Sequence, residues 1–142
     1  MEEIERAKLV VLIEDDPDVF GVILHIFDVK FGKDKVKVVH IDNGNEVFEQ
    51  MPILLRDEVF PDLIILDLML PGANGFEICS RLRERFADRR KVPILAITGY
   101  DSVENKKKIL QAGATDYLPK PFDIEVFVKK IKKYLFPEAK QI

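Results

Sequence analysis

Phe60-Pro61-Asp62-Leu63-Ile64-Ile65-Leu66-Asp67-Leu68-Met69-Leu70-Pro71-Gly72 is an apolar run that ends on a charged residue and then turns. Ile64, Ile65 and Leu66 follow one another without polar alternation, the pattern of a strand buried on both faces in a parallel sheet. Asp67 falls where that strand should end, and Pro71-Gly72 signals a turn. In an open α/β sheet, ligands bind outside the carboxyl ends of the strands. Asp67 is therefore either a strand-end cap, a common use of Asp at loop starts, or a reactive group. The stretch alone leaves both readings open.

Outward from it, strands and helices alternate. Lys8 to Ile13 is an apolar strand followed at once by Glu14-Asp15-Asp16-Pro17. Asp16 reads as an N-cap and Pro17 as the first helical residue. Val19, Phe20, Ile23, Leu24, Ile26 and Phe27 then recur at helical spacing to about Lys30, and Gly32 breaks the helix. Lys35 to Ile41 is the second strand and Asp42-Asn43-Gly44 a turn. A helix over about Asn45 to Asp57 turns Val47, Phe48, Met51, Leu54 and Leu55 inward, with a kink or break predicted at Pro52. After Asp67, Asn74 caps a helix marked by Phe76, Cys79, Leu82 and Phe86. Val92 to Ile97 is a fourth buried strand, ending in Thr98-Gly99-Tyr100. Asp101 or Ser102 caps a weakly amphipathic fourth helix carrying Lys106-Lys107-Lys108, expected to be the least firmly held and ended by Gly113. Thr115 to Leu118 is a short fifth strand. Lys120 follows between Pro119 and Pro121, and a last helix runs from about Ile124 to Phe136 with Ile124, Phe127, Val128, Ile131 and Leu135 on one face.

Five such alternations imply a doubly wound parallel sheet with helices on both faces, connected by right-handed crossovers. The length of 142 residues suits one domain, with its core over about 8–136. A hydrophobic fraction of 47% and a charged fraction of 33% are those of a globular protein. The net charge of −3 gives no reason to expect nucleic acid or a membrane surface as a direct partner. Cys79 is the lone cysteine, which excludes an internal disulfide and a zinc-type cluster. No apolar run is of membrane-spanning length and Met1 to Lys8 is charged, so a cytoplasmic location is expected.

All five strand ends fall on one edge. Glu14 and Asp15, Asp67, Thr98 and Lys120 collect there. Three carboxylates in one place must be relieved by a proton, a cation or a basic side chain. One ammonium does not neutralise three carboxylates, and oxygen ligands without His or Cys select a hard cation, for which Mg²⁺ is the common choice. Thr98 is either an ordinary strand-end hydroxyl or a donor to a bound oxyanion. Lys120 is held between two prolines, which restricts the local backbone and aims the side chain. A carboxylate, a divalent cation, a lysine and a hydroxyl at one point are the parts needed for phosphoryl transfer to an aspartate. No nucleotide-binding glycine loop is present, so the phosphoryl donor comes from outside.

The motifs LVVLIEDDPDV, PDLIILDLMLPGANGFE, ILAITGY and GATDYLPKPF, in this order, closely resemble the receiver domain of two-component response regulators. The resemblance runs from Leu9 to about Leu135. It implies a flavodoxin-like fold of strand order 2-1-3-4-5. It implies Asp67 as the phosphoacceptor, Glu14 and Asp15 as the acidic pair that holds Mg²⁺, and Met69 as the residue whose backbone carbonyl joins them. Thr98 matches the switch hydroxyl, Tyr117 the switch aromatic and Lys120 the phosphate-binding lysine. The Lys120-Pro121 bond matches one that is often cis. The implied donor is a sensor histidine kinase or a histidine phosphotransfer protein. Phosphorylation would draw Thr98 inward, let Tyr117 turn, and reshape the surface of the fourth helix, fifth strand and fifth helix for an output partner or a fused output domain. Such a chain catalyses only its own phosphorylation and dephosphorylation.

The sequence departs from that pattern in places. The segment between the second strand and Asp67 looks long. The last helix offers Lys129, Lys130, Lys132 and Lys133 but no arginine, which argues against the dimer of the winged-helix regulator class. The chain ends soon after that helix, as a single-domain regulator or a receiver taken from a longer protein would. Met69 and Tyr100, each two residues past a site residue, are bulky enough to hinder an attacking water, so a long-lived phosphoaspartate is expected. A phosphatase of the aspartyl-phosphate type needs a second acid two residues past the nucleophile, where this chain has Met69. A phosphate-independent scaffold would have lost site residues, and none is lost here.

Overall fold

β1 (Lys8–Ile13), β2 (Val36–Ile41), β3 (Leu63–Asp67), β4 (Ile94–Thr98) and β5 (Asp116–Pro119) form one parallel sheet in the order β2-β1-β3-β4-β5. The computed structural model describes residues 6–55, 60–86, 92–99 and 103–137, apart from the side chains of 53–55 and 103–104. Five helices alternate with the strands: α1 (Pro17–Lys30), α2 (Val47–Leu55), α3 (Gly75–Arg85), α4 (Val103–Gln111) and α5 (Ile124–Leu135). This is the doubly wound, flavodoxin-like order.

The strands' alternation divides the core into two layers, because successive side chains point to opposite faces. Val11, Ile13, Ile64, Leu66 and Ala96 meet Val47 and Met51 of α2, Ile78, Cys79 and Leu82 of α3, and Ile109 of α4. Val10, Leu12, Leu63, Ile65, Leu95 and Ile97 meet Ile23, Ile26 and Phe27 of α1 and Phe127, Ile131 and Leu135 of α5. β3 and β4 are paired on both sides and every one of their residues is buried, which is why they read as unbroken apolar runs.

The caps are local and sequence-encoded. Asp16 accepts from the Asp18 N–H at 3.0 Å, Asn74 from Phe76 and Glu77 at 3.0 and 3.3 Å, and Asp123 from Glu125 and Val126 at 2.8 and 3.3 Å. Gly113 closes the turn after α4 at φ 108, where a side chain would be strained.

Three expectations need correction. α2 starts at Val47, after a 3₁₀ turn over Gly44–Glu46 that Asn43 caps, and not at Asn45. The helix also does not break at Pro52: it continues to Leu55. A proline there removes one helical hydrogen bond, and the burial of Val47 and of Met51, which directly precedes it, holds the segment against that loss. Ile124 is exposed rather than inward, because it is the first residue of α5 and lies ahead of the turn that meets the sheet. The side chains of Leu54 and Leu55, and the cap expected at Asp101 or Ser102, lie outside the described residues. Among the described side chains of α4, Ile109 alone is buried, in keeping with an element held lightly.

Candidate functional site

Strand register assembles the site. Ile13 lies opposite Leu66, Asp67 opposite Ile97, and Thr98 opposite Pro119. The residues at or just past these positions, Glu14, Asp67, Thr98 and Lys120, are therefore brought side by side at one edge. The Lys120 N–H donates to the Thr98 carbonyl at 2.7 Å, extending the β4–β5 ladder to the lysine itself. The Lys120–Pro121 peptide bond is cis.

Three of these groups are polar side chains taken almost entirely out of water: Glu14 is 0%, Asp67 2% and Thr98 2% exposed. Buried carboxylates require a charge partner, and Lys120 supplies it. Its Nζ sits 2.9 Å from Glu14 Oε1 and 3.0 Å from Asp67 Oδ2. The approach to Asp67 is aligned as a hydrogen bond. The contact with Glu14 Oε1 is an ion pair without that alignment, so this oxygen has no hydrogen-bond donor. The other oxygens are held by backbone: Glu14 Oε2 accepts from the Asp15 and Asp16 N–H groups at 3.1 and 3.4 Å, and Asp67 Oδ1 from the Met69 N–H at 2.9 Å. Asp15 is half-buried beside them, and the three carboxylates present oxygens within 4.8 Å of one another.

The electrostatics follow from this packing. Burial, reinforced by the neighbouring Asp67 carboxylate, pushes Glu14 up to about 7, against the opposing pull of Lys120. Burial works against the Lys120 ammonium, but Glu14 and Asp67 outweigh it and hold its pKa above the ordinary lysine value. A cluster of acids whose buried member resists ionisation is short of positive charge. Its donor set of three carboxylates fits a hard divalent cation, and a second cation would fill the deficit that Lys120 leaves.

Glu14 ionises near 4.5 in an unfolded chain and near 7 when folded. Between those values only the folded state holds the proton, so stability falls as pH rises through that window. In the presence of a chelator, Glu14→Gln is expected to be more stable than the native chain at about pH 8, by roughly 1–3 kcal/mol. The advantage should vanish by about pH 4.5, at the lower end of the window. Urea unfolding at the two pH values measures it, and equal stability at the higher pH contradicts it.

The structure thus brings together Glu14, Asp15, Asp67 and Lys120, with Thr98 adjacent through the ladder. Met69 is attached to Asp67 through its N–H, and its side chain is 49% exposed. Gly99 is exposed and open space surrounds the position a side chain would take. Tyr117 is half-buried against the α2–α3–α4 layer, with the Lys106 ammonium 5.1 Å from its ring centre. Tyr100 lies outside the described residues.

Residues 10–132 match the family model for the response regulator receiver domain. The chain belongs to that family. This receiver is 35% identical over 133 residues to the DNA-binding dual master transcriptional regulator RpaA of Synechocystis sp., covering 89% of this chain and 48% of the relative. It is 39% identical over 95 residues to the response regulator MprA of Mycobacterium leprae, covering 67% of this chain and 40% of the relative. The chain thus spans less than half the length of these curated relatives. Among solved structures, the signal receiver domain of a DNA-binding response regulator from Colwellia psychrerythraea superposes with TM-score 0.76 at 26% identity, covering 89% of this chain and 96% of that one. The fluoroberyllate-activated receiver domain of Klebsiella pneumoniae RstA superposes with TM-score 0.71 at 31% identity, covering 91% and 99%. The chain is a response regulator receiver of the two-component class. No helix among the described residues is long and apolar enough to cross a membrane.

Two features of the site left no trace in the sequence. His40 Nε2 lies 2.7 Å from the Glu14 carbonyl. Gly75 lies so close to the Leu68 backbone that a Cβ there would come within 2.4 Å of the Leu68 carbonyl oxygen. Asn74-Gly75 marked a helix start, and nothing local marked the approach. A histidine late in an edge strand carries no periodic signal at all.

Proposed function

We propose that Asp67 is the phosphoacceptor of this receiver. The observation that carries the reading is the Lys120 ammonium bridging the buried Glu14 and Asp67, with the half-buried Asp15 carboxylate beside them. A carboxylate oxygen of Asp67 forms the new bond to phosphorus as the bond from phosphorus to the donor breaks, leaving an acyl phosphate. Lys120 compensates charge on the transferred phosphoryl oxygens. The Met69 N–H fixes the other carboxylate oxygen, which orients the attack. Glu14, Asp15, Asp67 and the Met69 carbonyl would hold Mg²⁺, which when bound neutralises charge on the phosphoryl group. The Thr98 hydroxyl, at the end of β4, donates to a phosphoryl oxygen once it is in place, and Tyr117 and α4 respond to that movement.

The donor is a histidine kinase or a phosphotransfer protein. The readout is the α4–β5–α5 face, toward an output partner or domain, with no direct contact to nucleic acid or membrane, in a cytoplasmic setting. The test is binding of fluoroberyllate, a tetrahedral mimic of the phosphoryl group. With Mg²⁺ it should raise the melting temperature of the native chain and leave Asp67→Ala unchanged. The same rise in both chains overturns the assignment.

The Met69 side chain is exposed beside Asp67, and by sequence spacing alone Tyr100 is the second bulky residue expected to hinder the hydrolytic water. Label on the phosphorylated chain in Mg²⁺ is therefore expected to decay more slowly than in a Met69→Asn/Tyr100→Glu double variant. Equal decay would sink this part.

A further inference from the structure

The carbonyl of Glu14 is bonded in an unusual way for the end of a parallel strand. The Glu14 N–H donates to the Ile41 carbonyl at 3.1 Å, continuing the β1–β2 ladder one step past Ile13. The next bond of a parallel ladder would run from the N–H of Asn43 to the Glu14 carbonyl. Asn43 has already left the strand to cap the 3₁₀ turn, its side chain accepting from the Asn45 N–H at 2.9 Å. The donor is supplied instead by His40, whose Nε2 lies 2.7 Å from that carbonyl. A carbonyl oxygen only accepts, so Nε2 carries the hydrogen. The imidazole is held in turn by Phe20 of α1, whose ring centre lies 4.1 Å from that of His40 at 46°. His40, on β2, therefore touches the residue that follows β1 and the first turn of α1 together. These surround the loop that presents Glu14 and Asp15.

We propose that His40 is a positioning residue for the divalent-cation site. It replaces the missing ladder bond and so fixes the backbone from which the Glu14 and Asp15 carboxylates project. It touches neither the cation nor the phosphoryl group. Outer partners that orient metal ligands affect affinity measurably although they make no bond to the metal, and a carboxylate pair on a loosened loop must be ordered before it binds. The part concerning Mg²⁺ rests on the reading of the site given above. The part concerning the loop does not.

The test uses the whole chain as native, His40→Phe and His40→Gln. Phenylalanine keeps the ring against Phe20 and loses the donor. Glutamine keeps an N–H donor at a similar reach. In chelator, backbone amide exchange at Asp15 and Asp16 should rise about tenfold in His40→Phe and stay near native in His40→Gln, on the principle that lost local bonds show as local opening. Mg²⁺ affinity, followed by amide chemical shifts, should fall about tenfold in the first and less than about threefold in the second. Unchanged amide exchange in His40→Phe overturns the clamp, as does glutamine behaving like phenylalanine. Faster exchange with unaltered Mg²⁺ affinity overturns the positioning role. A native chain that takes up no Mg²⁺ overturns the cation reading itself, and the exchange measurement then decides the clamp alone.

Discussion

Lys120→Ala is expected to slow phosphoryl uptake by Asp67 from acetyl phosphate by about a hundredfold or more, at saturating Mg²⁺. The lysine is the only cation among the described residues within ion-pair reach of the buried carboxylates, at 2.9 Å from Glu14 and 3.0 Å from Asp67. It meets charge where charge builds up in the transfer, in a site where little water screens it. The same substitution should leave Mg²⁺ affinity undiminished, because it removes a positive charge that competes for the same oxygens. It should also destabilise the chain in chelator, since Glu14 and Asp67 are left facing each other without a counter-charge. Added Mg²⁺ should restore much of that stability. Rapid-quench labelling and thermal unfolding give the two readings. Uptake within threefold of native would remove Lys120 from the proposed chemistry.

Gly75→Ala is expected to cost about 3 kcal/mol of stability, the upper range for overpacking a site that cannot relax. The added Cβ would lie 2.4 Å from the Leu68 carbonyl oxygen, 2.5 Å from its Cα and 2.8 Å from its carbonyl carbon, all backbone atoms. Leu68 cannot easily yield, because its N–H is bonded to the Ile97 carbonyl of β4 at 2.9 Å and its side chain is buried. Nor can α3 retreat without losing the Asn74 cap and the packing of Ile78 and Leu82. Leu68 lies between Asp67 and Met69, so any shift is passed to the acceptor carboxylate and to the N–H that orients it. The folded fraction of Gly75→Ala should therefore take up phosphoryl groups more slowly than the native chain. Gly21 in α1 is the control: nothing lies within 4 Å of its added Cβ, and Gly21→Ala should stabilise by about 0.5–1 kcal/mol. Equal stability of Gly75→Ala and native protein in urea would contradict the account.

The strands and the residues at their ends were legible because each depends on a local pattern, whereas the strand order came only from the resemblance to receiver domains. Unbroken apolar runs marked β3 and β4, and Asp16, Asn74 and Gly113 marked helix ends. What was hidden depends on pairs of distant residues. His40 reaches Glu14 across 26 positions and shows no spacing that hints at it. The approach of Gly75 to Leu68 is a matter of backbone distance, invisible to any hydrophobic pattern. The break allowed for at Pro52 is absent because α2 is held by the burial of Val47 and Met51, which the rule for an isolated helix leaves out. The ionisation of Glu14 near 7 was equally out of reach, since burial decides it and a run of three acids does not say which one is buried.

Whether Asp67 accepts the phosphoryl group is measured most directly by the mass of the intact chain after treatment with acetyl phosphate in Mg²⁺. One added phosphoryl group, about 80 Da, is expected on the native chain and none on Asp67→Ala, as required if a single carboxylate is the nucleophile. The same adduct on both chains, or none on either, would contradict it.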